Sequence, residues 1–503
     1  MRLGGAMGRA AERRPSPMHR RRSIAGAWAL SLAIAATACT STSGTATGGS
    51  TPGSTAGTTP GTTAPAKGSS AVSSVKDWAV YGHDLSNTRR NDDEKKITPA
   101  NVATLKQQWA KDGMVGVTGT PTVAAGVAYF GDWKGVVHAV KTDTGAEVWA
   151  STIGGMIVGA PAIDGDAVYI SSGKTLYRLD RASGTQVWKV DVHDHPLAQI
   201  NASPVVVGNL VFQGVASAEV VMARSEYTFR GSIGAYDTAT GKQVWNFFTT
   251  ANDATSGAGV GVWSTPAVDV ERGLLYVGTG NNYAEPTSAL ADSIIALDYK
   301  TGTLKWSKQF TYPDVFSGGS PKGKDADVGA SPNLWVSDGR ALVGAGDKGG
   351  VYHAVDRDTG AVVWETTLTP GSVFGGEIGS GAFVDGKLIV VSNVGDPATN
   401  SPTNVAKVFA LDPATGAVLW KTEDFPGKIF APVGAVPGLA FVGTDTGVLL
   451  ALDTQSGKTL WTQNAPDKTG CGPSIVDGRV LWGYGFVLFK GGGDGGIISF
   501  GVT

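Results

Sequence analysis

An apolar strand, a turn closed by Thr-Gly or Ser-Gly, and a second short strand ending in tryptophan recur seven times along this chain, at Trp149, Trp188, Trp245, Trp306, Trp364, Trp420 and Trp461. The turn glycines are Gly145, Gly184, Gly241, Gly302, Gly360, Gly416 and Gly457, and glycine supplies the positive φ that a tight hairpin requires. An eighth tryptophan, Trp109, opens the series without an upstream hairpin, and Ile497-Ile498-Ser499-Phe500 closes the chain as a strand with no tryptophan after it. The two ends therefore complete one further unit between them. Successive tryptophans stand 40, 39, 57, 61, 58, 56 and 41 residues apart, and a four-stranded propeller blade needs roughly 40. The expected fold is all-β: an eight-bladed β-propeller closed by pairing its N- and C-terminal strands, so that no free sheet edge remains. The tryptophans are read as packing elements between blades. Glycine, at 72 of 503 residues, suits short strands and tight turns better than long helices.

Ahead of the repeat, Met18-His19-Arg20-Arg21-Arg22 is a basic stretch and Ile24 to Ala38 an apolar run, too short to span a bilayer comfortably but right for a secretory signal. Met18 is an alternative start. The run ends Ala36-Thr37-Ala38-Cys39, which resembles a bacterial lipobox with alanine where leucine is usual. Residues 1–39 are thus expected to be a signal peptide with a lipobox-like cleavage site. Arg20 to Arg22 also precede the run as in a twin-arginine signal, but the residues after them fit that motif poorly. Residues 40–75 are Ser, Thr, Gly, Pro and Ala with little charge, a composition that cannot bury enough apolar surface to offset chain entropy and reads as a tether. Residues 76–503 form the propeller domain. The expected location is outside the cytoplasm, secreted or held at the membrane only through a lipid anchor.

With 41 basic and 43 acidic residues, the chain has no bulk charge to attract nucleic acid. After processing at Cys39, Cys471 is the only other thiol, so stability must come from packing rather than an intrachain disulfide. No Cys-x-x-Cys-His haem signature, dinucleotide glycine fingerprint, phosphate loop or zinc spacing of the six histidines is present.

The tryptophan repeat, covering about residues 76 to 503, resembles that of the pyrroloquinoline quinone (PQQ) dehydrogenases, eight-bladed quinoproteins. The run Trp78-Ala79-Val80-Tyr81-Gly82-His83-Asp84-Leu85-Ser86-Asn87-Thr88-Arg89 is similar to the start of their polyvinyl-alcohol-dehydrogenase-like branch. The resemblance implies a Ca²⁺ held by a Glu, an Asn and quinone atoms, an Asp as general base, a basic side chain on the quinone and a Trp beneath its ring. Gly214-Val215-Ala216-Ser217-Ala218-Glu219 resembles the segment ending in the calcium glutamate, with Glu226 in the same loop as an alternative, and Arg230-Gly231 follows as in the pattern, marking Arg230 for the cofactor. Gly278-Thr279-Gly280-Asn281 matches the segment that supplies the Asn ligand. Trp263, eighteen residues earlier and outside the blade series, takes the stacking role. Asp325-Ala326-Asp327-Val328-Gly329-Ala330-Ser331-Pro332 resembles the motif of the catalytic aspartate; Asp327 is favoured, with Asp325 and Asp314 in reserve. Gly346-Asp347-Lys348 resembles the segment whose Lys or Arg reaches the quinone oxygens, which points to Lys348.

These residues occur in the family's order on successive blades, which implies an oxidoreductase removing hydride from an alcohol, sugar or polymer hydroxyl. Without a haem motif the reduced cofactor needs a separate electron acceptor, such as a cytochrome or a membrane quinone. The chain departs from many relatives in having no adjacent cysteine pair to cover the quinone. Similar repeats also occur in outer-membrane assembly lipoproteins, so a non-catalytic envelope scaffold, or a quinone sensor, is the alternative.

Overall fold

The structure is a computed structural model that describes residues 77–251, 256–486 and 494–502. Cys39, the signal segment and the tether lie outside these residues. Eight antiparallel sheets of four or five strands follow one another along the described chain. Blade 4 is typical, with strands Ala267–Asp269, Leu274–Gly278, Ser293–Asp298 and Leu304–Gln309. First strands of neighbouring blades touch each other, which places them round the central axis. The fourth strand runs past its tryptophan, as in Glu147–Thr152 around Trp149, so the indole projects from mid-strand and not from a strand end.

The ring closes as the two chain ends require. Lys106–Val115 pairs with Asp494–Gly501, placing Trp109 opposite Ser499, and the sheet continues through Arg479–Tyr484 to Ser474–Val476. Each blade then docks on the next through an indole N–H: Trp109 donates to the Thr142 carbonyl at 2.9 Å, Trp245 to Tyr299 at 3.1 Å, Trp306 to Arg357 at 2.9 Å, and Trp461 to Leu105 at 3.1 Å. At every junction but that of Trp461, the hairpin glycine of the receiving blade lies against the same indole. A Cβ on Gly302 (φ +72°) would stand 2.6 Å from Trp245 Cε3, so glycine serves both the turn and the contact. Gly302→Ala is expected to cost about 2–4 kcal/mol. Gly273→Ala, at the same φ with open space around it, is expected to cost only the backbone part, about 1–2 kcal/mol. Urea midpoints of the two variants should separate, and equal midpoints would remove the indole contact from the explanation.

One end of the axis is laced by the segment from Trp78 to Asn91. Its carbonyls accept amides from the first strands of five blades: Ala79 from Ile163, Leu85 from Val268, Ser86 from Leu334, Thr88 from Phe383 and Arg89 from Ala435. Asn87 adds side-chain bonds to the carbonyls of Thr265, Pro266 and Pro332. Arg89 is fully buried, and its guanidinium donates to the carbonyls of Val433, Tyr81 and Pro473 and to Thr120 Oγ1, with the Tyr81 ring 4.7 Å away. No carboxylate pairs with it among the described residues. Burial draws its pKa down to about 10. Cys471 is a free, buried thiol, pushed up to about 12 by the same burial.

Candidate active site

Because strands alternate in direction, the loop leading into each first strand and the loop between second and third strands share one end of the ring, opposite the Thr-Gly hairpins. The two longest-loop blades, 4 and 5, bring four of the expected residues together there. Trp263 and Asp327 come from the loops leading into blades 4 and 5, and Asn281 and Lys348 from the loops after the second strands of the same blades.

Asp327 is the hub. Its Oδ1 accepts the backbone N–H of Asn281 at 2.6 Å and its Oδ2 lies 2.7 Å from Lys348 Nζ. Lys348 also reaches Asp325 Oδ1 at 3.0 Å and sits 5.6 Å over the Trp263 ring. The Lys348 turn is tied back by its own N–H, which donates to the Asp327 carbonyl at 3.0 Å. Although burial opposes its charge, Asp325 and Asp327 raise the Lys348 pKa above the ordinary lysine value, so it stays cationic. Asp325 is driven up to about 7, first by burial and then by Asp327, against the pull of Lys348. Asp314, held in reserve as a base, instead accepts the amides of Asp325 and Ala326 at 3.2 and 2.7 Å and so shapes the loop that presents Asp327.

The Trp263 indole rests on bare backbone. A Cβ on Gly329 would fall 1.7 Å from its ring, and one on Gly280 would fall 2.8 Å from Asp327 Oδ1 and 3.3 Å from the indole nitrogen. Two glycines thus admit the ring and the carboxylate side by side.

Asn281 is buried, and its amide nitrogen donates to the carbonyls of Asn282 and Phe316, while its Oδ1 accepts no hydrogen bond among the described residues. Glu219 is also buried, whereas Glu226 is exposed. The Glu219 carboxylate accepts the backbone amides of Thr228 and Phe229, with Arg224 and His195 at 3.7 and 3.8 Å. No hydrogen bond or ion pair joins it to Asp327, Asn281 or Lys348 among the described residues; the buried Tyr283 phenol, raised first by burial, feels Asp327, Glu219 and Asp325. Arg230 is not gathered in. Its guanidinium stacks 4.1 Å over Phe248 and donates to Thr250. It lines a separate cavity of about 580 Å³ with Thr249, Ser256 and Ser288.

Two acids escaped the sequence reading. Asp292 is fully buried, its two carboxylate oxygens have no hydrogen-bond partner among the described residues, and burial together with Asp327, Asp314 and Asp325 raises its pKa well above the carboxylate range. It lies in a loop without motif. Glu377, likewise buried, left a signal: it occupies the place that Val117, Val262 and Val328 hold before other first strands.

The site therefore carries Asp292, Asp314, Asp325 and Asp327 against one lysine whose side chain is 13% exposed, with an uncommitted Asn oxygen beside them. Hard oxygen donors, together with acids (Asp292, Asp314 and Asp325) that the site holds back from ionising and that a cation would let ionise, fit a Ca²⁺-class ion. Among the described residues no three Asp, Glu, His or Cys side chains converge as a ready-made ligand set; such an ion would need oxygens from Asn281 and from a bound partner.

Residues 189–377, which contain the whole hub, match the family model described as glucose/ethanol/alcohol dehydrogenase, beta-propeller domain. Residues 404–500 match that of the outer membrane protein assembly factor BamB. The chain is 30% identical over 472 residues to a polyvinylalcohol dehydrogenase of Pseudomonas sp, covering 84% of this chain and 73% of the relative. A second polyvinylalcohol dehydrogenase, of Sphingopyxis sp., is 29% identical, covering 77% and 69%. The crystal structure of quinohemoprotein alcohol dehydrogenase from Comamonas testosteroni superposes with a TM-score of 0.71 at 22% identity, covering 86% of this chain and 81% of that one.

Proposed function

The chain belongs to the PQQ-dependent quinoprotein dehydrogenases, and from that premise we propose that it oxidises an alcohol, sugar or polymer hydroxyl outside the cytoplasm with PQQ and Ca²⁺ bound at the Asp327 site. The observation that carries this reading is the convergence of Trp263, Asn281, Asp327 and Lys348, from four separate loops, around one carboxylate. When bound, PQQ supplies the two-electron acceptor for the hydride and Ca²⁺ the Lewis acid beside it.

The residues of the chain do the rest. Asp327 accepts the hydroxyl proton; Asn281 N–H and Lys348 fix its two oxygens so that the carboxylate needs no reorientation before transfer. Lys348, kept cationic by two carboxylates, stabilises negative charge developing on a neighbouring oxygen. Trp263 offers a flat face for a planar ring, and Asn281 Oδ1 with Glu219 would hold the cation. Each turnover removes two electrons and two protons from the hydroxyl carbon and oxygen, the electrons leaving to a separate acceptor. With export directed by the 1–39 signal segment, a lipid on Cys39 and the 40–75 tether would hold the propeller at the membrane surface. A scaffold reading draws on the match over residues 404–500, but the acid and lysine hub lies outside that stretch.

The test is titration of the protein with PQQ, with and without Ca²⁺, read by tryptophan quenching and by dye-linked alcohol oxidation. Binding should depend on calcium, and Asn281→Ala should weaken it at least about tenfold. No binding at high micromolar PQQ would sink the dehydrogenase reading and leave the scaffold.

A further inference from the structure

Lys348 stands on a four-residue turn, and what holds that turn reaches the surface of the molecule. Asp347 Oδ1 accepts the Val351 N–H at 2.8 Å, and its carbonyl accepts those of Gly350 and Glu377 at 3.2 and 2.9 Å. Its Oδ2 lies 2.9 Å from His353 Nε2, and the other ring nitrogen, Nδ1, lies 2.7 Å from Glu365 Oε1. His353 is 3% exposed and sandwiched under Phe310 at 3.8 Å, whereas the Glu365 side chain, on the outer strand Val362–Thr367, is 46% exposed.

Blade 1 contains the same device with one member missing. Asp132-Trp133-Lys134-Gly135-Val136-Val137-His138 repeats the spacing of Asp347-Lys348-Gly349-Gly350-Val351-Tyr352-His353. Asp132 Oδ1 accepts Val136 N–H at 3.0 Å, and its carbonyl accepts those of Gly135 and Ile157, as the equivalent atoms do in blade 5; Asp132 Oδ1 accepts the Lys134 N–H as well. But His138 pairs across the sheet with Ala150, where His353 pairs with Glu365. Accordingly His138 Nδ1 has no partner among the described residues, and its Nε2 stands 3.5 Å from Asp132. The turn folds without the acid, so Glu365 is an addition to it. A ring with a carboxylate on each nitrogen is satisfied on both sides only as the imidazolium, since a neutral imidazole has a single N–H; His138 needs only one tautomer.

We propose that Glu365 is a positioning residue for the Lys348 and Asp327 pair: from the outer strand of blade 5 it orients His353, which orients Asp347, which sets the turn that carries Lys348. This rests on the dehydrogenase reading for its catalytic meaning. The groups facing the relay are Asp347 and Glu365 on the ring itself, Lys308 near Glu365, and Asp292 and Glu377 near Asp347. Burial lowers the His353 pKa, but the hydrogen bonds to Asp347 and Glu365 outweigh it and the net direction is up. The charged relay is therefore complete where Glu365 is ionised and His353 still protonated, and it is lost as pH rises through the folded-state pKa of His353, when Asp347 becomes an uncompensated charge beside the turn.

The experiment uses the full chain and two readouts, the backbone amide signals of Lys348 to Gly350 against pH and the pH profile of dye-linked oxidation with PQQ and Ca²⁺. In the parent protein the Lys348 amide should titrate together with the His353 ring. Glu365→Gln should move that midpoint, and the alkaline limb of kcat with it, down by about one pH unit, with KM changed less than about twofold. Glu365→Asp should restore most of the shift, and Ala150→Glu, which builds the third member into blade 1, should leave both in place. A Lys348 amide that ignores pH, or a Glu365→Gln protein that loses activity equally at every pH with its midpoints unmoved, overturns the proposal. If the parent protein oxidises no alcohol, the amide titration still decides the relay, and the failure falls on the dehydrogenase reading alone.

Discussion

Asp327→Asn is expected to leave the propeller folded and to reduce dye-linked alcohol oxidation by a factor on the order of 10²–10⁴. Asparagine keeps an oxygen to accept the Asn281 N–H, so the local hydrogen bond at 2.6 Å survives. What is removed is the carboxylate that takes the proton and the ion pair with Lys348 at 2.7 Å. PQQ titration by tryptophan quenching should remain within about tenfold of the parent, which separates lost chemistry from lost binding. Asp325→Asn distinguishes the two carboxylates. Asp325 touches Lys348 but not the Asn281 amide, and burial already drives it up to about 7. It is expected to cost far less activity than Asp327→Asn. If Asp325→Asn is the dead variant and Asp327→Asn the active one, the base has been assigned to the wrong member of the pair.

Arg89→Ala is expected to be the most destabilising single change in the molecule, about 3–5 kcal/mol. The guanidinium is fully buried and ties acceptors drawn from the Trp78 to Asn91 segment and the lead-ins to blades 1, 7 and 8. Alanine would leave a cavity the size of the side chain and several carbonyls without a donor, each unmade bond costing about 1–3 kcal/mol. Arg89→Lys should recover little, since one ammonium cannot span the same spread of acceptors. Urea unfolding followed by tryptophan emission reads the loss directly. A midpoint equal to that of the parent would mean that the axial lacing contributes nothing to closure of the ring.

Much of the site was legible because the loops carry short motifs at fixed distances from a repeated frame. Asn281 in Gly278-Thr279-Gly280-Asn281, Asp327 ahead of Ser331-Pro332, Lys348 after Gly346-Asp347, and Trp263 before Ser264-Thr265-Pro266 were each found by local pattern and meet in space. Arg230 also matched a pattern, yet its guanidinium packs on Phe248, because the direction of a long side chain is decided by neighbours that a motif does not name. Asp292 carries no pattern at all. Its proximity to Asp327 depends on how the Ser288 to Asp292 turn folds back over Gly280, whose carbonyl accepts the Asp292 N–H.

The sequence by itself determined the number of blades, the hairpin turns and the pairing of the two chain ends. Those features are set within a few residues of one another and repeated: a glycine that permits φ near +70°, an indole a fixed step further on, and an incomplete unit at each end. Only the tertiary structure decided which surplus acids surround Asp327, that Arg89 holds the axis, and that Glu365 on an outer strand is linked through His353 to the turn of Lys348. These depend on hydrogen bonds and charge interactions between residues up to several hundred positions apart, such as Arg89 with Val433 and Pro473. Burial strengthens such interactions, and no local propensity encodes them.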